Sequence, residues 1–209
     1  MRRTKEEAEK TRRVIMTAAL KRFDRSGISN TTLDEIAKAA GVTRGAIYWH
    51  FSGKKALLHA IREEMSLTLL HQVEFTLLDR GAAAPLGRVS RFLLGLLEKL
   101  ESHKQVRLVL SVMSFKCEYV GPLAQELKDQ VKNNERLCEA LAKVYNEAMA
   151  DGSLRAGLSP RIAALETMIF IAGLLRLWLL DEGATGMRTH ARKLIAAHVE
   201  ARRSPVPRQ

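Results

Sequence analysis

The fold of this chain is decided by the stretch Thr31–Ala60, TTLDEIAKAAGVTRGAIYWHFSGKKALLHA. Thr32 stands three residues before Glu35, which is the spacing of a capping box at a helix N-terminus. The residues that follow are apolar at helical intervals. Gly41 then marks a tight turn, and Thr43 can cap a second short helix. Two short helices joined by a turn of about three or four residues that includes glycine have the spacing of a helix-turn-helix.

The second of these helices has two different faces. With Arg44 set at zero and about 100° per residue, Tyr48 falls near 40° and Gly45 near 100°. Ala46 and Ile47 fall on the opposite side, near roughly 200° and 300°. One face is therefore apolar and can pack on the domain, while the other presents arginine, glycine and tyrosine outward. A short helix of this kind can lie in the major groove of DNA.

The outward residues suit contacts with DNA. Arg44 can donate two hydrogen bonds to O6 and N7 of guanine, and Gly45 has no side chain to hold the helix away from base edges. Tyr48 and His50 can donate to phosphates. Threonines at helix N-termini, and a lysine at the start of the next helix, also favour phosphate. Each residue alone could instead be an N-cap, a core aromatic or a solvated lysine. The candidate DNA-binding residues are Thr32, Thr43, Arg44, Gly45, Tyr48, His50 and Lys55.

Helical periodicity continues through the rest of the chain and predicts an all-α protein. A first helix is expected from about Thr4 to Gly27. Further helices are expected at about Lys54–Leu78, Leu86–Leu100, Lys104–Phe115, Pro122–Ala150, Pro160–Leu180 and Met187–Ala201. We expect a three-helix helix-turn-helix domain at 1–60, a helical ligand-binding and dimerisation domain at 61–202, and a disordered tail at 203–209.

The charge of the chain favours a polyanionic partner. The 209 residues carry 34 Lys and Arg against 23 Asp and Glu, a net charge of +11. Residues 1–60 hold 13 of these basic residues and 6 of the acidic ones. Nucleic acid and an anionic membrane surface both attract such a surface. The first helix, however, has only a core-sized apolar stripe, which does not favour a membrane-surface helix.

Other features exclude several classes of protein. The N-terminus lacks the apolar segment of a signal peptide. Cys117 and Cys138 do not make a disulfide framework, and we expect both to be reduced in the cytoplasm. The most apolar stretch, Ile162–Leu180, contains Glu166 and Arg176 and predicts a buried helix of a soluble protein, with no membrane partner.

Catalysis has no support in the sequence. The histidines lack the HExxH spacing of a zinc site, and there is neither a GxSxG motif nor a P-loop. Glu118 lies beside Cys117, but no base accompanies them. We therefore expect no enzyme activity, no cofactor and no metal site.

Residues 31–60 resemble the helix-turn-helix of the TetR family of bacterial regulators, with GVTRGAIYWHF as a specific signature and a match over about residues 10–61. The resemblance implies a three-helix DNA-binding domain, a helical effector domain and a dimer on a near-palindromic operator. It implies base contacts from Arg44 and Gly45. Gly53 replaces a more usual polar residue in the turn. The phosphate contacts that the resemblance implies are Thr32, Thr43, Tyr48, His50 and Lys55.

Three further segments resemble the AcrR-type branch of that family: RRTKEEAEKTR at the start, FKCEYVG at Phe115–Gly121 and GLLRLWLL at Gly173–Leu180. The resemblance implies repression of multidrug efflux pump genes and release from DNA when amphipathic drugs or aromatic compounds bind. A family member that regulates another local operon is the alternative. An architectural nucleic-acid binder would explain the charge but not the apolar residues after position 80.

An effector pocket and a dimer interface are both expected in the second domain. Apolar helices can line a pocket for a hydrophobic or amphipathic molecule, although the same residues could simply be core. The dimer interface is expected on Ile162–Leu180 and Met187–Glu200, where Ala172 and Gly173 would permit close helix approach. The candidate pocket residues are Leu93, Leu96, Leu97, Val109, Val112, Met113, Cys117, Leu137 and Phe170.

Overall fold

The computed structural model describes residues 5–65, 71–79, 81, 83–181, 183 and 185–205. In these residues the secondary structure is helical, apart from one isolated bridge between Leu154 and Arg203. The helices are α1 (Lys5–Ser26), α2 (Leu33–Ala40), α3 (Arg44–His50), α4 (Lys54–Met65), α5 (His71–Leu78), α6 (Pro85–Ser102), α7 (Lys104–Phe115), α8 (Ala124–Ala150), α9 (Pro160–Leu180) and α10 (Met187–Glu200), with a 3-10 turn at Gly121–Leu123. The all-α prediction is confirmed.

Two of the predicted segments differ from the structure or fall partly outside it. The single helix predicted from Lys54 to Leu78 corresponds to α4 and α5, and residues 66–70 between them lie outside the described residues. The disordered tail was predicted from residue 203, and the structure gives its first two residues backbone contacts. Arg203 bridges to Leu154, and the amide of Ser204 donates to the carbonyl of Ser153 at 2.8 Å. Residues 206–209 of that tail lie outside the described part of the chain.

The chain divides into two compact units. The first comprises Met1–Leu67 and His103–Lys128, and the second comprises Thr68–Ser102 and Asp129–Gln209. The first unit thus includes α7. Just after the end of α7, the carbonyl of Lys116 accepts from the amide of Ile28 at 3.2 Å. The functional boundary near residue 60 stays a prediction.

The core of the first unit is built on one face of α1. Ile15, Ala19 and Phe23 follow one another at four-residue intervals, and all three are fully buried. Ile36 of α2 and Ile47 of α3 are also fully buried. These five side chains hold the helix-turn-helix against α1, so that the opposite surfaces of α2 and α3 remain exposed.

The turn between α2 and α3 depends on Gly41. Its φ of 65° lies in the left-handed region, which a side chain disfavours. In this conformation the amides of Gly41 and Val42 donate to carbonyls in the last turn of α2. The turn sends the chain directly into Thr43 and α3.

The second unit buries one face of α9 and leaves another face apolar and exposed. Ala163, Ala164 and Trp178 are buried within the unit. The five large apolar residues that remain exposed on this helix are Ile162, Leu165, Ile169, Leu177 and Leu180. By length and composition alone α9 could cross a membrane, but core helices of soluble proteins pass the same test, and only 33% of its most apolar window is buried in the chain. The buried helix expected from the sequence is therefore buried on one side within a single chain.

Candidate nucleic-acid interface

The N-terminus of α2 is closed by the predicted capping box. The hydroxyl of Thr32 accepts from the amide of Glu35 at 3.2 Å, and the Glu35 carboxylate accepts from the amide of Thr32 at 2.8 Å. This backbone hydrogen bond, with the Thr32 hydroxyl and Arg22, holds the pKa of Glu35 below its ordinary value. Glu35 also pairs with Arg22 of α1. The start of α2 is thus fixed while Thr32 itself remains exposed.

The faces of α3 are those that the helical spacing predicts. Thr43 caps the helix, since its hydroxyl accepts from the amide of Ala46 at 3.2 Å. Ile47 is fully buried against the domain. Arg44, Gly45 and Tyr48 are exposed together on the outer face, so the structure places the three predicted reading residues side by side.

Arg44 is held in position from two sides. Its Nη1 lies 3.1 Å from Oδ2 of Asp34 in α2, and its Nη2 donates to the hydroxyl of Tyr48 at 3.2 Å. The guanidinium carbon also lies 5.6 Å from the centre of the Tyr48 ring. The hydrogen bond to Tyr48, and then the charge of Asp34, raise the pKa of Arg44 above its ordinary value. The guanidinium has five N–H donors, so donors remain available to a base.

Gly45 is not required by the packing of the chain. A Cβ at this position would meet only the Thr43 hydroxyl, at 3.8 Å, which is an ordinary contact. Its φ is not positive either, so the backbone does not demand glycine. The space that the missing side chain leaves therefore opens outward, onto the surface that carries Arg44 and Tyr48.

The two lysines at the start of α4 have different surroundings, and the sequence analysis named only Lys55 as a phosphate contact. The ammonium of Lys54 donates to the carbonyls of Ile28 at 2.9 Å and Ser29 at 3.0 Å, so it anchors the α1–α2 loop. Lys55 is exposed, as a phosphate contact requires. His50 is half-buried, with its ring edge-on to that of Trp49, the centroids 4.5 Å apart.

Two residues outside the predicted set belong to the same surface. Trp49 is 70% exposed, which is unusual for tryptophan and leaves its ring available to a sugar or phosphate. Trp49 lies about 140° around the helix from Arg44, at the edge of the outer face, and this angle was its only sign in the sequence. Asp34 contacts Arg44 although ten residues separate them, and no local pattern indicated that contact.

A basic groove runs along α1 in the same unit. It encloses about 1070 Å³ and is lined by Lys5, Lys10, Arg13, Lys21, Arg22 and Arg25, against two glutamates. The ion pair of Arg22 with Glu35 connects this groove to the cap at Thr32. The positive potential of the unit therefore extends beyond α3, as a polyanionic partner requires.

Buried charges join α4 to the start of α8 within the first unit. Glu126 is only 1% exposed, and its Oε2 lies 2.7 Å from Nη1 of Arg62. Nδ1 of His59 lies 3.4 Å from the other carboxylate oxygen. A buried pair of this kind is costly to break once formed. It therefore fixes α4, the helix that begins with Lys54 and Lys55.

The predicted pocket residues are distributed over both compact units. In the first unit Val109 and Val112 are buried, and Met113 and Cys117 are half-buried. In the second unit Leu93 and Leu97 are buried, and Leu96, Leu137 and Phe170 are half-buried. The Phe170 ring stacks on that of His198, with centroids 4.1 Å apart. Their role in effector binding stays a prediction.

The capped α2, the turn at Gly41 and the exposed reading face of α3 define a helix-turn-helix DNA-binding protein. Residues 15–61 match the family model of bacterial regulatory proteins, tetR family. Residues 84–203 match that of the C-terminal region of MAATS-type transcriptional repressors. The chain belongs to the TetR family, whose members are transcriptional regulators that bind operator DNA, dimerise and bind small-molecule effectors.

Individual relatives agree with this assignment over nearly the whole chain. The chain is 34% identical to the HTH-type transcriptional regulator AcrR of Shigella flexneri over 203 residues, 95% of this chain and 92% of that protein. It is 32% identical to the HTH-type transcriptional repressor BepR of Brucella suis biovar 1 (strain 1330), over 98% of each chain. The fold matches that of NalD, the secondary repressor of the MexAB-OprM multidrug efflux pump in Pseudomonas aeruginosa, with a TM-score of 0.82 and 29% identity over 95% of this chain and 98% of that one. The resemblance to the AcrR-type branch is confirmed.

Proposed function

We propose that this protein is a cytoplasmic repressor of a multidrug efflux operon, which binds its operator as a homodimer and leaves it when a hydrophobic or amphipathic effector binds. The observation that carries the proposal is the outer face of α3, where Arg44, Gly45 and Tyr48 are exposed together. NalD, with the same fold, is a repressor of a multidrug efflux pump, and this supports the assignment to an efflux operon.

DNA recognition divides into base and phosphate contacts. Arg44 donates to guanine in the major groove, which is worth about 1–3 kcal/mol of discrimination against a wrong base. The predicted phosphate contacts, which set the register of the protein on DNA, are Thr32, Thr43, Tyr48, His50 and Lys55. Contacts of this kind carry affinity but no sequence information. Since Tyr48 already accepts from Arg44, its own hydroxyl hydrogen remains free for a phosphate oxygen.

The exposed face of α9 supports the homodimer. Ile162, Ile169 and Leu177 lie exposed to water in the single chain, and burying one such side chain stabilises an assembly by roughly 1.5–3 kcal/mol. Leu194 of α10, a helix that packs on α9, is also exposed. A dimer formed there would present two copies of α3 to two half-sites, which must be about 34–36 Å apart or a multiple of that distance.

Release requires an effector that binds one conformation better than the other. The proposed change is a shift of α4, which begins beside the reading surface and is held by the Arg62–Glu126 pair. A shift of α4 would move the two copies of α3 out of operator spacing. Equal effector affinity with and without operator would contradict this mechanism.

The test is a mobility shift on the intergenic DNA upstream of the chain's own gene. Wild type is compared with Arg44→Ala and with Arg155→Ala, a matched control whose arginine is exposed in the second unit. We expect wild type and the control to retard the intergenic fragment specifically and Arg44→Ala to lose this retardation. Amphipathic drugs should release wild type from the fragment. Specific binding that no drug relieves would overturn the efflux assignment. Retardation of random DNA as strong as that of the intergenic fragment, by all three proteins, would overturn the sequence-specific function.

A further inference from the structure

We infer that Asp34 is a positioning residue for Arg44, which raises the preference of the protein for its operator over other DNA. The inference rests on the proposed function and adds a residue to it. Asp34 lies in the first turn of α2, and Arg44 is the first residue of α3. Their ion pair therefore connects the two helices of the helix-turn-helix across the reading surface.

The geometry sets the direction of the arginine. Nη1 of Arg44 lies 3.1 Å from Oδ2 of Asp34, and Nη2 donates to Tyr48 at 3.2 Å. The two contacts lie on different helices, so the guanidinium is held between them. An arginine side chain otherwise samples many rotamers, and ordering a side chain of this kind on binding costs roughly 0.5–1.5 kcal/mol, or about 2- to 12-fold in affinity. Asp34 and Tyr48 order the side chain before DNA arrives.

The exposure of the pair indicates a role at the DNA surface and not in folding. The side chains of Asp34 and Arg44 are 65% and 57% exposed, and exposed ion pairs contribute little to stability. An acid on a surface that approaches phosphates also opposes binding in general. A unit charge about 6 Å from a phosphate in water changes affinity roughly threefold.

These two effects act differently on operator and on other DNA. On the operator, an ordered Arg44 meets its guanine, and the advantage of ordering offsets the repulsion. On random DNA the arginine has no matching base, so only the repulsion by Asp34 remains. Asp34 therefore lowers random binding more than operator binding, and the ratio of the two affinities rises.

The test measures the ratio of operator to random-DNA affinity by fluorescence anisotropy, at one fixed low salt concentration. Asp34→Asn keeps the shape and an acceptor oxygen but removes the charge. We expect it to bind random DNA roughly threefold more tightly. Its ratio of operator to random-DNA affinity should fall about 2- to 12-fold per half-site. Asp34→Glu, which keeps the charge and can still reach Arg44, should restore most of the ratio. Glu139→Gln, which removes one exposed acid from α8 in the second unit, is the charge-matched control and should leave the ratio unchanged.

A double variant separates positioning from a simple charge effect. In an Arg44→Ala background, Asp34→Asn should no longer change the ratio, because there is no guanidinium to hold. An unchanged ratio for Asp34→Asn in the wild-type background, or an equal loss in both backgrounds, would overturn the inference. If the wild type itself shows no preference for operator, it is the proposed function that fails, and this result is distinct from both.

Discussion

Replacing Gly45 with alanine should stabilise the protein and weaken its binding to operator. Because a Cβ at position 45 would contact only the Thr43 hydroxyl, at 3.8 Å, the chain can accept it without strain. Alanine is favoured over glycine by about 0.4–1 kcal/mol at a compatible site, chiefly through the unfolded chain. For a protein of this size, each kcal/mol raises Tm by roughly 2–4 °C.

On DNA the same methyl group should be harmful. It would point from the outer face of α3 toward the base edges and hold the helix away from them. If the Arg44–guanine contact is lost as a result, the cost is about 1–3 kcal/mol per half-site, or roughly 5- to 150-fold in affinity.

Two measurements on one protein sample test this reasoning. Differential scanning calorimetry without DNA gives Tm, and anisotropy at one salt concentration gives operator affinity. A Gly45→Val variant extends the series, and its loss of affinity should exceed that of Gly45→Ala. A stabilised Gly45→Ala protein with unchanged operator affinity would refute close approach at this position. A destabilised Gly45→Ala protein would contradict the open space that the structure has beside position 45.

Three more predictions concern other parts of the molecule. Lys54→Met should lose two charged hydrogen bonds to the α1–α2 loop, and its free energy of unfolding in urea should fall by roughly 1.5–3 kcal/mol for each. Lys55→Met should leave stability unchanged and reduce the slope of log K for DNA against log salt by about 0.9 per phosphate contact. The reverse result would exchange the roles of the two lysines. Ile169→Lys, at a site 73% exposed in the single chain, should yield folded monomers in sedimentation, and a persistent dimer would exclude this face of α9. Burial and then the charge of Arg202 lower the pKa of His198 from 6.5 to about 4. Between these pH values the unfolded chain binds a proton at His198 and the folded protein does not. The stability contributed by neutral His198 is therefore full above pH 6.5 and falls as the pH drops from 6.5 to about 4. In His198→Gln the denaturation midpoint should change less with pH across that window, and the same pH dependence as in wild type would contradict this.

The helix-turn-helix could be predicted from sequence because its signals are local. The capping box at Thr32, the turn at Gly41 and the cap at Thr43 each depend on residues within a few positions of one another. The outer face of α3 follows from helical spacing alone once Ile47 is known to face inward. For this reason Arg44, Gly45 and Tyr48, which the spacing places on the outer face of α3, are exposed together in the structure.

The remaining features depend on contacts between segments that are distant in sequence. Lys54 differs from Lys55 only because the α1–α2 loop passes within hydrogen-bond distance of its ammonium group. Asp34 reaches Arg44 through the angle between two helices, and α7 joins the first unit through the carbonyl of Lys116. None of these contacts leaves a periodic signal in the sequence. The apolar composition of α9 predicted a buried helix, but it could not show what fraction of the helix is buried within one chain.

The central claim is that Arg44 on α3 reads a base in a specific operator. The most direct test is the ratio of affinities for the upstream intergenic fragment and a scrambled fragment of equal length, for wild type and Arg44→Ala at one salt concentration. Specific regulators bind their sites roughly 10³- to 10⁷-fold more tightly than other DNA. We predict a ratio in that range for wild type and a large loss of it in Arg44→Ala, because the intergenic fragment loses far more affinity than the scrambled one. A wild-type ratio near one, or a ratio that Arg44→Ala leaves intact, would contradict it.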